Sequence, residues 1–314
     1  MSDAEEAAVE GVSDASATAR SVVENVGEVI VGNEQAVEHL VIALLGRGHV
    51  LLEDVPGVGK TMLARAVATS FECAFNRVQF TPDLLPADIT GVNVFNQKTG
   101  EFEFREGPVF ANVVLSDEIN RAPPKTQAAL LEAMEEETVT VDGETRILPD
   151  PFFVVATQNS VERDRTYELP AAELDRFAVK LSLGYPDEQE EQEVLGRVVG
   201  DHPIETLEPV ATTADLVAAR RATASVTVGE PVQSYVTRLA RYTRENAQLG
   251  VSPRGSISLL RAAQGRAVLD GRDYVIPDDV QSEAESVLAH RVRVGRDGSK
   301  RELIRDALTA VPVE

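Results

Sequence analysis

The stretch Val50-Leu51-Leu52-Glu53-Asp54-Val55-Pro56-Gly57-Val58-Gly59-Lys60-Thr61 decides how this chain is read. An apolar run that breaks into glycines and ends in Gly-Lys-Thr predicts a strand, a tight loop and a helix beginning near Lys60. Such a loop turns several backbone N–H groups toward one point at a helix N-terminus, which favours an anion. Lys60 would reach the outer phosphates of a nucleotide and the Thr61 hydroxyl would hold Mg²⁺. The loop departs from the strict pattern G-x-x-x-x-G-K-[ST] at its first position, where Asp54 replaces glycine.

Outward from the loop, strands and helices alternate. Val78 and Phe80 mark a short second strand, Val113 to Glu118 a third, Phe152 to Ala156 a fourth and Phe177 to Leu183 a fifth. Apolar residues at helical spacing follow the loop (Met62, Leu63, Ala66, Val67) and recur between Lys125 and Glu137. Two hairpins are predicted: Val92 and Val94 against Phe102 and Phe104, and Thr138 to Val141 against Thr145 to Leu148 around Asp142-Gly143, a pair that favours a primed turn. Before the loop, two helices flank Val31-Gly32-Asn33, with Asn33 as the N-cap of the second. Residues 1–18, rich in Ala, Glu, Ser and Asp, read as a disordered acidic tail. Beyond Gly184-Tyr185-Pro186 the periodicity is helical. The expected division is therefore 1–18 tail, 19–184 α/β domain and 185–314 helical domain.

The third strand ends in Asp117-Glu118 and the fourth runs into Thr157-Gln158-Asn159. Carboxylates closing a buried strand need a cation or a proton donor. Together with the glycine loop they form a P-loop NTPase arrangement, with Asp117 on Mg²⁺ through water, Glu118 polarising the attacking water and Asn159 bonding that water or the γ-phosphate.

Composition narrows the rest. Asp and Glu number 52 against 30 Lys and Arg, a net charge of -22, and only five of the cations are lysine. Acid spread along the whole chain suits concentrated salt, where self-repulsion is screened, and the alternative is an acidic face for a basic partner. Either way a sequence-independent grip on nucleic acid is disfavoured. Cys73 is alone, which excludes a disulfide framework and a thiolate zinc site, and His39, His49, His202 and His290, without ligand-like spacing, read as core or surface residues. No apolar run approaches a membrane span and the acidic start lacks a signal peptide's basic region, so a cytoplasmic protein is expected.

The ordered set Val31-Gly32-Asn33, Leu52 to Thr61, Asp117-Glu118-Ile119-Asn120-Arg121-Ala122, Ala156-Thr157-Gln158-Asn159, Leu169 to Phe177, Ser252-Pro253-Arg254 and Tyr274 to Val280 resembles the AAA+ ATPases and, within them, the MoxR family. The resemblance implies an αβα sandwich on a parallel five-stranded sheet, two hairpin insertions and an all-α lid. It implies ATP and Mg²⁺ as cofactors. Val31, Gly32, Pro56, Gly57, Val58, Gly59, Lys60, Thr61 and Met62 would contact nucleotide, Thr61 and Asp117 the metal. Lys60, Glu118 and Asn159 would be catalytic, with Arg176 as an arginine finger acting on a neighbouring subunit and Arg254 as the sensor-2 arginine of the lid. Ser252 as N-cap and Pro253 at the first helical position agree with that last placement. Arg163 or Arg165 is an alternative trans-acting arginine, and Ser160 stands where the family commonly has proline. The resemblance further implies a homo-oligomeric ring, a hexamer, and a chaperone-like role toward client proteins, often ones with a von Willebrand factor A domain. A chelatase ATPase subunit and a nucleotide-gated binding module with little turnover are the rival readings.

Overall fold

The computed structural model describes residues 3–159, 167–200, 202–296 and 298–313. Ser160, Arg163 and Arg165 lie outside them. Helix α1 (Asp3–Gly27) and α2 (Glu34–Leu45) precede β1 (His49–Asp54), the glycine loop and α3 (Lys60–Ser70). Then come β2 (Phe75–Gln79), α4 (Pro86–Thr90), the hairpin β3 (Gly91–Asn96) and β4 (Glu101–Glu106), β5 (Val113–Asp117) and α5 (Pro124–Glu136). The second hairpin, β6 (Thr138–Val141) and β7 (Glu144–Ile147), leads to β8 (Phe153–Asn159), α6 (Ala171–Leu174) and β9 (Phe177–Leu181). Strands β2-β5-β8-β1-β9 form one five-stranded sheet in that order, every pair parallel.

Successive side chains on a strand face opposite sides, and both sides of this sheet are covered. Val50, Leu52, Leu115 and Val155 enter one apolar cluster, whereas Leu51, Val114, Val154 and Ala156 enter the other. The second cluster is closed by Ile89, Leu130 and Leu131 from α4 and α5. The first is closed by α2 and α3 and by the C-terminal helices, through Leu216, Tyr235, Leu259 and Val280. These last belong to α9 (Thr213–Ser225), α10 (Glu230–Asn246), α11 (Pro253–Leu269) and α12 (Pro277–Leu288). With α7 (Glu188–Arg197), α8 (Pro203–Thr206) and α13 (Lys300–Ala310) they make the helical C-terminal part of the chain, which includes the lid. A buried ionic cluster pins lid to core: Glu283 of α12 meets His39 of α2 at 2.7 Å and Arg266 of α11 at 2.9 Å, and Arg266 also meets Glu38 at 2.6 Å.

The turn of the second hairpin has positive φ at both Asp142 (52°) and Gly143 (85°), as a primed turn requires. Two expectations are corrected. The segment taken as a disordered tail is helical from Asp3, and Val12, Ala15, Ala19, Val22 and Val26 form a buried stripe at alternating three- and four-residue spacing. That stripe packs on α9 and α11, and Arg20 Nε donates to the Leu269 carbonyl at 2.8 Å. Asn33 does precede α2, but its side chain makes no cap and reaches back to the Val31 carbonyl at 3.5 Å. Among the described residues no helix is long and apolar enough to cross a membrane.

Candidate active site

The loop after β1 takes its shape from glycine. Gly57 (φ 88°) and Gly59 (φ 95°) lie in the left-handed region, and open space surrounds the position a Cβ would take at each. Gly59 is the N-cap of α3, whose first turn carries neither a side-chain cap nor an acid. The free N–H groups of that turn are therefore left for a ligand. Lys60 Nζ donates to the carbonyls of Val55 (2.8 Å) and Asp54 (3.1 Å). Burial lowers its pKa, opposed by the carboxylates of Asp54, Asp117 and Glu118.

Asp117 and Glu118 arrive from β5 and face the loop across a cavity of about 440 Å³. Thr157 of β8 ties them together: its hydroxyl donates to Asp117 Oδ1 at 2.6 Å and accepts the Glu118 N–H at 2.8 Å. Glu118 has φ 56°, a conformation that costs a bulky residue on the order of 1–3 kcal/mol and aims its side chain off the strand direction. Gln79 and Arg121 both donate to its Oε2, each at 2.7 Å. Arg77 donates to Asp117 Oδ2 at 2.5 Å. Asn159, at the end of β8, is buried and lines the same cavity.

A second cavity, about 260 Å³, lies at the other end of the sheet and is lined by His49, Glu135, Arg176 and Arg254. Glu135 near the end of α5 holds both arginines, Arg176 at 2.9 Å and Arg254 in a shorter pair. Arg176 also donates to the Leu131 carbonyl at 2.8 Å. Ser252 caps α11 by accepting the Gly255 N–H at 3.1 Å, with Pro253 next, so the capping grammar read from the sequence holds. Strand β1 runs between the two cavities, and a rise of ~3.3 Å per residue separates His49 from Asp54 by about 17 Å.

Over residues 49–179 the chain matches the model of the ATPase family associated with various cellular activities (AAA), and over 239–308 that of the AAA lid domain. It is 42% identical to Chaperone MoxR1 of Mycobacterium tuberculosis over 88% of this chain and 76% of that one. The chain belongs to the MoxR family of AAA+ ATPases. It is also 52% identical to the uncharacterized protein YeaC of Bacillus subtilis over 93% of each chain. A crystal structure described as a candidate ATPase from Cytophaga hutchinsonii superposes with TM-score 0.92 at 36% identity, covering 100% of both chains.

Of the MoxR-type residues read from the sequence, Pro56, Gly57, Gly59, Lys60, Thr61, Met62, Asp117, Glu118 and Asn159 meet around one cavity. Val58 instead packs against the core cluster of the first sheet face. Gly32 (φ 72°) lies so close under the Glu190 carboxylate of α7 that a Cβ there would collide with it, and neither Val31 nor Gly32 lines the P-loop cavity. Arg176 and Arg254 stand together, but away from their own chain's P-loop. Arg77, Gln79, Thr157 and Glu135 are site residues that the sequence reading missed. The available signal was two polar residues at alternate positions of β2, which the register places beside β5, Gln79 opposite Asp117.

Proposed function

We propose that this chain hydrolyses ATP with Mg²⁺ in a hexameric ring, where each P-loop is completed by Arg176 and Arg254 of a neighbouring copy, and that hydrolysis drives the remodelling or maturation of client proteins. The observation that carries this reading is the placement of two arginines on one glutamate at the end of the sheet remote from their own P-loop. With some 17 Å of strand between the cavities, a phosphate that these arginines touch belongs to another subunit. A parallel sheet has two unlike ends, so head-to-tail contact would present the arginine end of one copy to the P-loop end of the next, an arrangement that forms a ring when the rotation between copies closes.

The residues suit the substrate. Lys60 and the α3 N-terminus would bind the β- and γ-phosphates, Glu118 would take the proton of the attacking water, and Asn159 would orient that water. Among the described residues no group of three or more His, Cys, Asp or Glu side chains could hold a metal by itself. A hydroxyl and a carboxylate in one cavity, Thr61 and Asp117, are the donor set of an Mg²⁺ shared with phosphates. When bound there, Mg²⁺ would offset charge developing on the transferred phosphoryl group.

The hairpins are the parts suited to a client, including a von Willebrand factor A domain protein. Asn93 donates to Asp142 at 2.8 Å across the two hairpins and Arg146 stacks 3.8 Å from the Phe104 ring, so they act as one unit. Phe95 and Phe102, 5.3 Å apart, stay exposed on it.

The test is complementation. Arg176→Ala keeps its own P-loop and Glu118, while Glu118→Gln keeps its arginines, and each alone is expected to be inactive. Mixed in equal amounts at high salt, about a quarter of the interfaces in a randomly assembled ring join an intact P-loop to an intact arginine, and turnover returns. No recovery in co-assembled rings overturns the proposal.

A further inference from the structure

Asp54, the residue that departs from the strict P-loop pattern, is 6% exposed and has its carboxylate filled with donors. Its Oδ1 accepts the Val55 N–H at 2.9 Å. Its Oδ2 accepts three groups from the segment that follows the neighbouring strand β9: the N–H of Leu183 (2.6 Å), the N–H of Gly184 (2.8 Å) and the Ser182 hydroxyl (3.1 Å). The ladder between β1 and β9 ends at the pair Leu52 and Leu181. Beyond that point one side chain takes over the join that backbone made before it.

The acceptor and the donors sit at two consequential places. Residues 182–184 are the exit from the sheet, where Gly184 turns with φ 71° into the segment leading to α7. Asp54 opens the phosphate loop, and its carbonyl, with that of Val55, holds Lys60 Nζ. Glycine at position 54 would leave the Leu183 and Gly184 N–H groups without this partner.

We propose that Asp54 is a positioning residue that couples the phosphate loop to the lid: it fastens the sheet exit at 182–184 to the start of the loop, so that a change at Lys60 moves α7. The inference rests on the P-loop being a nucleotide site. A phosphate that draws Lys60 away from the two carbonyls frees the Asp54-Val55 peptide to shift. The Asp54 carboxylate carries that shift to Leu183 and Gly184, and hence to α7, whose Glu190 covers Gly32. Charge and four-fold acceptance both matter, because asparagine at 54 offers one oxygen and turns an N–H₂ toward donors.

The experiment compares wild type with Asp54→Asn and Asp54→Gly, the latter restoring the strict pattern. Amide exchange of 183–184 is followed with and without a non-hydrolysable ATP analogue, beside analogue affinity and steady-state ATPase. Both variants are expected to bind the analogue within about three-fold of wild type, to exchange these amides at least about ten-fold faster, and to lose about ten-fold in kcat. Exchange at 183–184 responds to the analogue in wild type and no longer does so in the variants, a loss that a merely structural role would not produce. Variants that keep kcat and that response overturn the proposal. Wild type that fails to bind the analogue overturns the nucleotide reading instead, while exchange without nucleotide still tests the Asp54 bonds. Ser182→Ala, which removes a donor from the exit side alone, reads the same quantities if the Asp54 variants fail to fold.

Discussion

Acidification will destabilise this fold through His49. The ring starts β1 and is buried between Phe152 and Phe153, with centroids 5.9 and 6.3 Å away. Val154 N–H reaches Nδ1 at 3.0 Å and Nε2 lies 2.9 Å from the Met134 carbonyl. A backbone N–H can only donate, so Nδ1 accepts and the single ring proton sits on Nε2, donated to Met134. Protonating Nδ1 sets two donors against each other. Burial, helped by the charge of Arg220 and opposed by the Met134 bond, lowers the pKa from 6.5 to about 4. The unfolded chain thus binds a proton more readily than the folded one, and the stability held above pH 6.5 drains away as pH falls toward 4. At ~1.36 kcal/mol per unit the loss is about 2 kcal/mol near pH 5 and saturates at about 3 kcal/mol. Many acids titrate over the same range, so the informative quantity is a difference. His49→Gln can donate to Met134 and accept from Val154 without titrating. Urea unfolding at constant high salt should show wild type losing about 2 kcal/mol more than His49→Gln between roughly pH 7.5 and pH 5. Parallel pH profiles for the two proteins, within about 0.5 kcal/mol, would refute the tautomer and the burial argument together.

Three further outcomes are expected. Lys60→Ala should lose nucleotide binding, while Glu118→Gln binds ATP with turnover lower by roughly 10²- to 10⁴-fold, as filter binding and phosphate release will show; normal rates in either would remove the mechanism. Glu283→Ala strips a fully buried carboxylate from His39 and Arg266 and should cost about 3–5 kcal/mol in denaturant unfolding. Phe102→Ala, at a ring 72% exposed, should leave stability within about 0.5 kcal/mol but weaken stimulation of the ATPase by a client; an unchanged response would remove the hairpin from client contact.

What was legible in the sequence follows a physical rule: chemistry that sits at the end of its own strand could be read, and chemistry completed from elsewhere could not. The run Val113 to Leu115 announces a buried strand, and the polar break after it places Asp117 and Glu118 at the strand's end without further knowledge. Asp142-Gly143 names its turn because few residues accept two successive positive φ values. Arg77 and Gln79 carry no such signal, since their meaning comes from the register that lays β2 beside β5. Helix α1 was underestimated because its buried stripe is built of Val and Ala, which in an acidic context resemble an unstructured segment.

Asp54 and Arg254 show the same rule from its difficult side. As a letter in a motif, Asp54 weakens the P-loop; in space it is a hub, and its partners lie 128 to 130 residues further along. Arg254 could be placed at the start of a helix from Ser252 and Pro253, but not at either end of the sheet. That choice belongs to lid packing, where Ser252, the N-cap of α11, donates to Asp175 Oδ2 at 2.8 Å beside Arg176 and sets the start of α11 at the arginine end. Had the lid docked at the P-loop end, Arg254 would lie near its own phosphate loop, while Arg176, just before β9, would stay at the opposite end of the sheet. Docked where it is, the lid leaves each chain with a phosphate loop at one end and the arginines at the other. Under the proposed function, that separation is what makes complementation between copies the decisive test.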